Sequence, residues 1–97
     1  MFEIAITDGA LLDLKFLKKA EQNIVFDAIE KQLSAEPLKQ TRNRKQLRPN
    51  DLSAWEMRVG WYRVFYDVDE ADTKVIVKAV GWKEHNKLFI RGKEYDL

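Results

Sequence analysis

The chain has 97 residues, with 17 basic and 16 acidic side chains, a net charge of +1 and no cysteine. That length makes a single domain able to hide roughly 65% of the surface its unfolded chain exposes, without a disulfide or metal staple. Lack of cysteine excludes a disulfide framework and a thiolate metal site. The residues from Met1 to Thr7 lack the basic and long apolar regions of a leader, and no apolar run reaches the ~18 residues of a membrane span. A cytoplasmic protein without membrane association is expected.

The near-neutral charge conceals an uneven distribution. Between Leu38 and Arg63 there are seven basic residues against two acidic ones, Asp51 and Glu56. A basic middle flanked by acidic segments can draw in a polyanion while the whole chain stays near neutral.

In chain order, Phe2 to Thr7 alternates like a short strand, with Ile4 and Ile6 on one side. Thr7 or Asp8 then offers a capping oxygen to a helix over 10–20, with Ala10, Leu14 and Leu17 on its apolar face and Leu11 beside them. Val25, Ala28, Ile29 and Leu33 recur at helical spacing, with Phe26 at their flank, and predict a second helix over about 21–35. Pro37 stops it. The two helices form a tight hairpin or one bent helix whose stripe must pack on a sheet.

Residues 37–51 read as a loop with five cations, Lys39, Arg42, Arg44, Lys45 and Arg48, anchored by Leu47. Such a segment is either a solvated connection or an arm that contacts phosphates. Three antiparallel strands follow, over about 54–59, 62–68 and 74–80, joined at Gly60 and across Asp69-Glu70-Ala71-Asp72. Period two puts Trp55, Met57 and Val59 on one face of the first strand, and Tyr62, Val64, Tyr66 and Val68 on one face of the second. In the third strand it groups Val75, Val77 and Ala79 against Lys74, Ile76, Lys78 and Val80. One face is nearly all apolar and meets the helices, while the other sets Arg58 and Arg63 among aromatics. A helical turn is expected near 84–88, then an extended end around Gly92. Trp55, Trp61 and Trp82 read more readily as partly buried packing groups than as stacking platforms. The architecture is therefore α+β in one domain, 1–97: an N-terminal strand and helical hairpin on a mainly antiparallel sheet of about four strands.

No phosphate-cradling glycine loop, HExxH motif or metal-ligand cluster is present, and the lone histidine with two unflanked serines argues against a serine triad. What remains is a cationic, aromatic surface and His85, the one side chain that ordinarily titrates near neutrality. That set suits cleavage of RNA by its own 2′-hydroxyl, which needs a base, cations on the phosphorane and an acid for the departing oxygen. Aromatic rings beside the cations could hold splayed bases. The plainer readings are that Arg63 pairs with Glu56 or Asp67 across the sheet and that His85 is an ordinary surface residue.

In order, these parts resemble the RelE/ParE superfamily of toxins from type II toxin–antitoxin pairs, over about 2–89. Gly60-Trp61-Tyr62-Arg63-Val64-Phe65-Tyr66 is similar to the family's G-x-Y-R-hydrophobic-x-Y, and Val80-Gly81-Trp82-Lys83 to its V-G-x-R/K. The resemblance implies a ribosome-dependent mRNA endonuclease needing no metal or cofactor. It also implies a cognate antitoxin as partner, with operator DNA bound through that antitoxin. Arg63 matches the arginine on the scissile phosphate, Lys83 the cation after the last strand, and Arg58 one of two strand basics. Glu56 stands where the other is often lysine, and Phe89 where RelE has a catalytic tyrosine. His85-Asn86-Lys87-Leu88-Phe89 resembles the H-x-x-L-F of the YafQ-like branch. There His85 would be acid or base, Phe89 would hold a base, and Glu56 would be the complementary base. The expected catalytic set is Arg63, His85, Lys83 and Glu56; Arg58, Phe89, Arg42, Arg44, Lys45 and Arg48 would bind RNA. The alternatives are a ParE-like gyrase inhibitor and a decayed toxin kept as a co-repressor.

Overall fold

The computed structural model describes all of residues 1–97. Strand β1 (Glu3–Ile6) leads into helix α1 (Asp8–Phe16), whose N-terminus is capped by Thr7 Oγ1 accepting the Ala10 N–H at 3.1 Å. This bond satisfies one of the helix's orphan donors. The helix ends four residues before the expected Ala20, because Leu17 and Lys18 both adopt extended backbone. Helix α2 (Lys19–Ala28) then starts under the Glu21 carboxylate, which accepts the Lys18 N–H at 3.0 Å. It runs on as one wider turn, Ile29–Leu33. The corner at Leu17-Lys18 thus gives a true helical hairpin rather than one bent helix.

The remaining strands are β2 (Arg44–Gln46), β3 (Trp55–Val59), β4 (Tyr62–Asp69), β5 (Lys74–Glu84), β6 (Lys87–Ile90) and β7 (Lys93–Tyr95). They form a seven-stranded sheet in the order β2-β3-β4-β5-β6-β7, with β1 parallel to the first half of β5. All other pairings are antiparallel. The sheet exceeds the expected four strands for identifiable reasons. Part of the basic arm pairs as β2, and β5 continues four residues past Val80. The expected turn of helix near 84–88 is instead a two-residue hairpin. His85 and Asn86 take φ of 51° and 65°, the left-handed pair that matches strand twist. No helix is long and apolar enough to cross a membrane.

Both helices pack on one face of the sheet. Met57 and Val64, paired across β3 and β4, are fully buried there with Leu14, Val25, Ile29, Val75 and Val77. Beside them Tyr66 is buried outright, and its hydroxyl donates to the Pro37 carbonyl at 2.7 Å. A register shift between Phe65 and Tyr66 changes the pattern in β5. Val80 faces the helices and Ala79 the opposite side, the reverse of strict alternation, because the bulge inserts Lys78 between paired positions. Ala79 instead joins Phe65 and Leu88 in a smaller cluster under Leu47, Leu52, Ile90 and Tyr95, so Leu47 does anchor the basic arm.

The sheet is split on one flank, where β1 leaves β5 and β6 joins it. Asp13 of α1, 4% exposed, reaches this gap and accepts the Val80 N–H at 3.0 Å. Its other oxygen has no aligned hydrogen-bond donor and is compensated by the Arg91 Nε at 2.8 Å. Burial raises the Asp13 carboxyl above its ordinary range, against the opposing pull of Val80 and Arg91.

Burial also lifts the Tyr66 phenol from 10.0 to about 12. The folded protein therefore keeps a proton that the unfolded chain gives up at pH 10, and stability falls as pH rises between those values. That difference corresponds to about 3 kcal/mol. Tyr66→Phe is expected to cost about 1 kcal/mol at neutral pH, through the unpaired Pro37 carbonyl, and to flatten the alkaline decline. Urea unfolding from pH 7 to 12 checks both.

Candidate active site

The face away from the helices carries the charged groups. Arg58 and Arg63 are direct cross-strand partners, as are Lys45 and Glu56. Gly81 is paired with Arg63, and two residues on Lys83 donates its N–H to the Trp61 carbonyl at 2.8 Å. Lys83 therefore shares the Arg63 face, near the end of the sheet where the β3–β4 turn lies. Gly81 is required at this crossing, because a Cβ there would overlap the Phe89 carbonyl of β6.

Arg63 is nearly enclosed, with a side chain 11% exposed. Its Nε lies 3.8 Å from Glu56 Oε1, and its Nη1 donates to the carbonyls of Gly60 and Tyr62 at 2.9 and 3.0 Å. No hydrogen bond to a protein acceptor is made by Nη2. Burial, followed by repulsion from Arg58, lowers the guanidinium pKa, while Glu56 opposes the shift. The pairing with Glu56 weighed from the sequence is present. Asp67 instead accepts the Ala54 N–H at 2.6 Å.

Glu56 is buried between two cations, with Lys45 Nζ 4.0 Å from its second oxygen. It forms part of a cleft of about 370 Å³ with Lys45, Arg48 and Lys83. Arg42 and Arg58 border the same carboxylate at a smaller depression. Asn50, which the sequence did not single out, holds the basic arm in place. Its side-chain oxygen accepts the Leu52 and Ser53 N–H groups, and its amide donates to the Arg48 and Ser53 carbonyls. The signal was there in Pro49-Asn50-Asp51, a turn triplet whose asparagine can bond local backbone.

Two expected site residues, Arg44 and Phe89, lie elsewhere, and a third, His85, stands at the edge of the site. Arg44 is 7% exposed, and its guanidinium donates to the Gln32 and Lys39 carbonyls, so it ties β2 to the end of α2 and does not face solvent. Phe89 pairs with Trp82 on the helix face, in a column where Phe16, Trp82 and Phe89 stack at 5.9 and 6.0 Å. It is therefore across the sheet from Arg63. His85 stands exposed at the β5–β6 tip and lines a groove of about 630 Å³ on the helix side, with Trp61 and Trp82. Lys83 lines both this groove and the cationic cleft, and joins them. Of the tryptophans, Trp55 is buried and Trp82 partly buried, but Trp61 is 75% exposed, contrary to the packing role expected for it.

The fold is shared with chains of known toxin–antitoxin proteins. A chain of the toxin–antitoxin complex RelBE2 from Mycobacterium tuberculosis is 29% identical with a TM-score of 0.74, over 84% of this chain and 98% of that one. A chain of the archaeal RelE–RelB complex from Pyrococcus horikoshii OT3 is 20% identical with a TM-score of 0.63, over 87% of this chain and 97% of that one. The YoeB dimer from Staphylococcus aureus gives 18% identity and a TM-score of 0.54, over 87% of this chain and 97% of that one, a likeness of fold alone. No family model matches the sequence, and no curated protein does.

Proposed function

We propose that this RelE-like chain is the toxin of a type II toxin–antitoxin pair and cuts mRNA in the ribosome by attack of the RNA's own 2′-hydroxyl. The observation that carries this reading is the grouping of Arg63, Lys83, Lys45 and Glu56 at one end of the open sheet face, with His85 at the adjoining tip. The likeness to chains of RelBE2 and RelE–RelB complexes supports it. The same likeness supports a cognate antitoxin as partner, laid over the cationic face, with operator DNA reached through it.

The chemistry follows from placement. Arg63 offers Nη2 to a non-bridging oxygen of the scissile phosphate, and Lys83 neutralises a second. Glu56, set between Arg63 and Lys45, takes the proton of the 2′-hydroxyl while Arg63 stays held by the Gly60 and Tyr62 carbonyls. The 2′-oxygen bonds to phosphorus, the bond to the 5′-oxygen breaks, and His85 supplies the proton to that leaving oxygen. The products are a 2′,3′-cyclic phosphate and a free 5′-hydroxyl. Lys45, Arg48, Arg42 and Arg58 position neighbouring phosphates without reading sequence.

Induction in growing cells tests the reading. Translation is expected to stop within minutes with wild type and to continue with Arg63→Ala. Arrest of DNA replication with translation intact would favour the gyrase-directed alternative, and no effect on growth would favour a decayed toxin kept as co-repressor.

A further inference from the structure

We infer that the groove beside His85 is a nucleobase site, which receives the base of a nucleotide adjoining the scissile phosphate. The inference rests on the RNA-cleaving reading above and assigns its substrate a second point of contact. The groove's walls are aromatic: Phe16 from α1, Tyr62 from β4, Trp82 from β5, and Trp61 at the β3–β4 turn. Trp61 and Phe16 are 75% and 56% exposed. Phe16 and Trp82 lie 7° from parallel and stack on each other, with Phe89 stacked on Trp82, so the ring left free to take a base is that of Trp61. At about 630 Å³ the space falls within the range of small-ligand pockets and exceeds what one base needs.

Charge separates the roles of the two cavities. The cleft on the open face sets Lys45, Arg48 and Lys83 against Glu56 alone. In the groove, Lys18 and Lys83 are balanced by Glu21 and Glu84. An excess of cations suits the phosphate, and a neutral aromatic wall suits a base, whose π-face stacks whatever its identity. Lys83 lines both cavities, and its N–H is bonded to the Trp61 carbonyl, so a single residue divides them. A strand with its phosphate on the Arg63 side of Lys83 can turn its base over that edge and stack it on Trp61. Glu21, held by both the Lys18 N–H and the Tyr62 hydroxyl, fixes the acidic rim of the groove.

Cleavage on ribosomes programmed with a panel of A-site codons tests this. Trp61→Ala removes an exposed ring and is expected to fold as wild type. It should slow cleavage roughly tenfold and flatten the differences between codons. Trp61→Phe should restore most of both. If wild type cleaves and Trp61→Ala matches it in rate and codon profile, the inference is overturned with the RNA reading intact. If Trp61→Ala cleaves normally but loses affinity for the antitoxin, the groove is a protein-docking site, which also overturns it. If wild type cuts no codon, the RNA reading falls and takes this inference with it.

Discussion

Arg63→Ala is expected to lower mRNA cleavage by about 10²–10³-fold, the loss typical of removing one preorganised donor to a developing anion. The guanidinium is pre-positioned before substrate arrives, held by Glu56 and by the Gly60 and Tyr62 carbonyls, so little ordering remains to be done at reaction. Arg63→Lys keeps the charge but cannot hold those carbonyls and a phosphate oxygen together. It should stay at least about tenfold below wild type. Single-turnover cleavage at saturating ribosome separates this loss from weaker binding. If Arg63→Lys restored the wild-type rate, a point charge would suffice and the fork geometry would be irrelevant.

His85→Gly should move activity and stability in opposite directions. As the acid for the 5′-oxygen, His85 is expected to be worth about 10²–10⁴-fold in rate. Its backbone, however, sits at φ 51°, a left-handed conformation that costs an ordinary side chain roughly 1–2 kcal/mol, of which glycine's greater unfolded-state freedom of about 0.5–1 kcal/mol cancels a part. The variant should therefore unfold a few degrees above wild type while cutting far more slowly. Thermal unfolding beside cleavage kinetics reads both. A variant that lost stability as well would show the histidine to be a packing residue of the hairpin.

Period two correctly separated the two faces of β3 and β4, because those strands are unbroken up to the bulge and their apolar positions are unambiguous. Met57, Val64 and Tyr66 therefore fell on the helix side and Arg58 and Arg63 on the other. Beyond Phe65 the pattern failed at a particular place. The bulge adds one residue to β5, and Ala79 and Val80 are both apolar, so neither composition nor spacing marked the exchange of faces. The β5–β6 hairpin escaped notice because its left-handed turn is His85-Asn86, without the glycine that usually announces one. That error hid the placement of Phe89, which only the strand register with Trp82 puts across the sheet from Arg63. Arg44 shows a different limit. Five cations in one segment read alike, and only tertiary structure gives one of them the Gln32 and Lys39 carbonyls as partners. One cation of the middle segment, Arg44, is thus an internal strap and not part of the open cationic face.

Whether the Arg63, Lys83 and His85 end of the sheet cuts RNA in the ribosome is decided by mapping mRNA ends after purified wild-type protein, freed of antitoxin, is added to programmed ribosomes. Cuts are expected only in the A-site codon, with a 2′,3′-cyclic phosphate on the upstream fragment, and should vanish with Arg63→Ala. Intact mRNA under the same conditions, or cuts unchanged by that substitution, would contradict this reading.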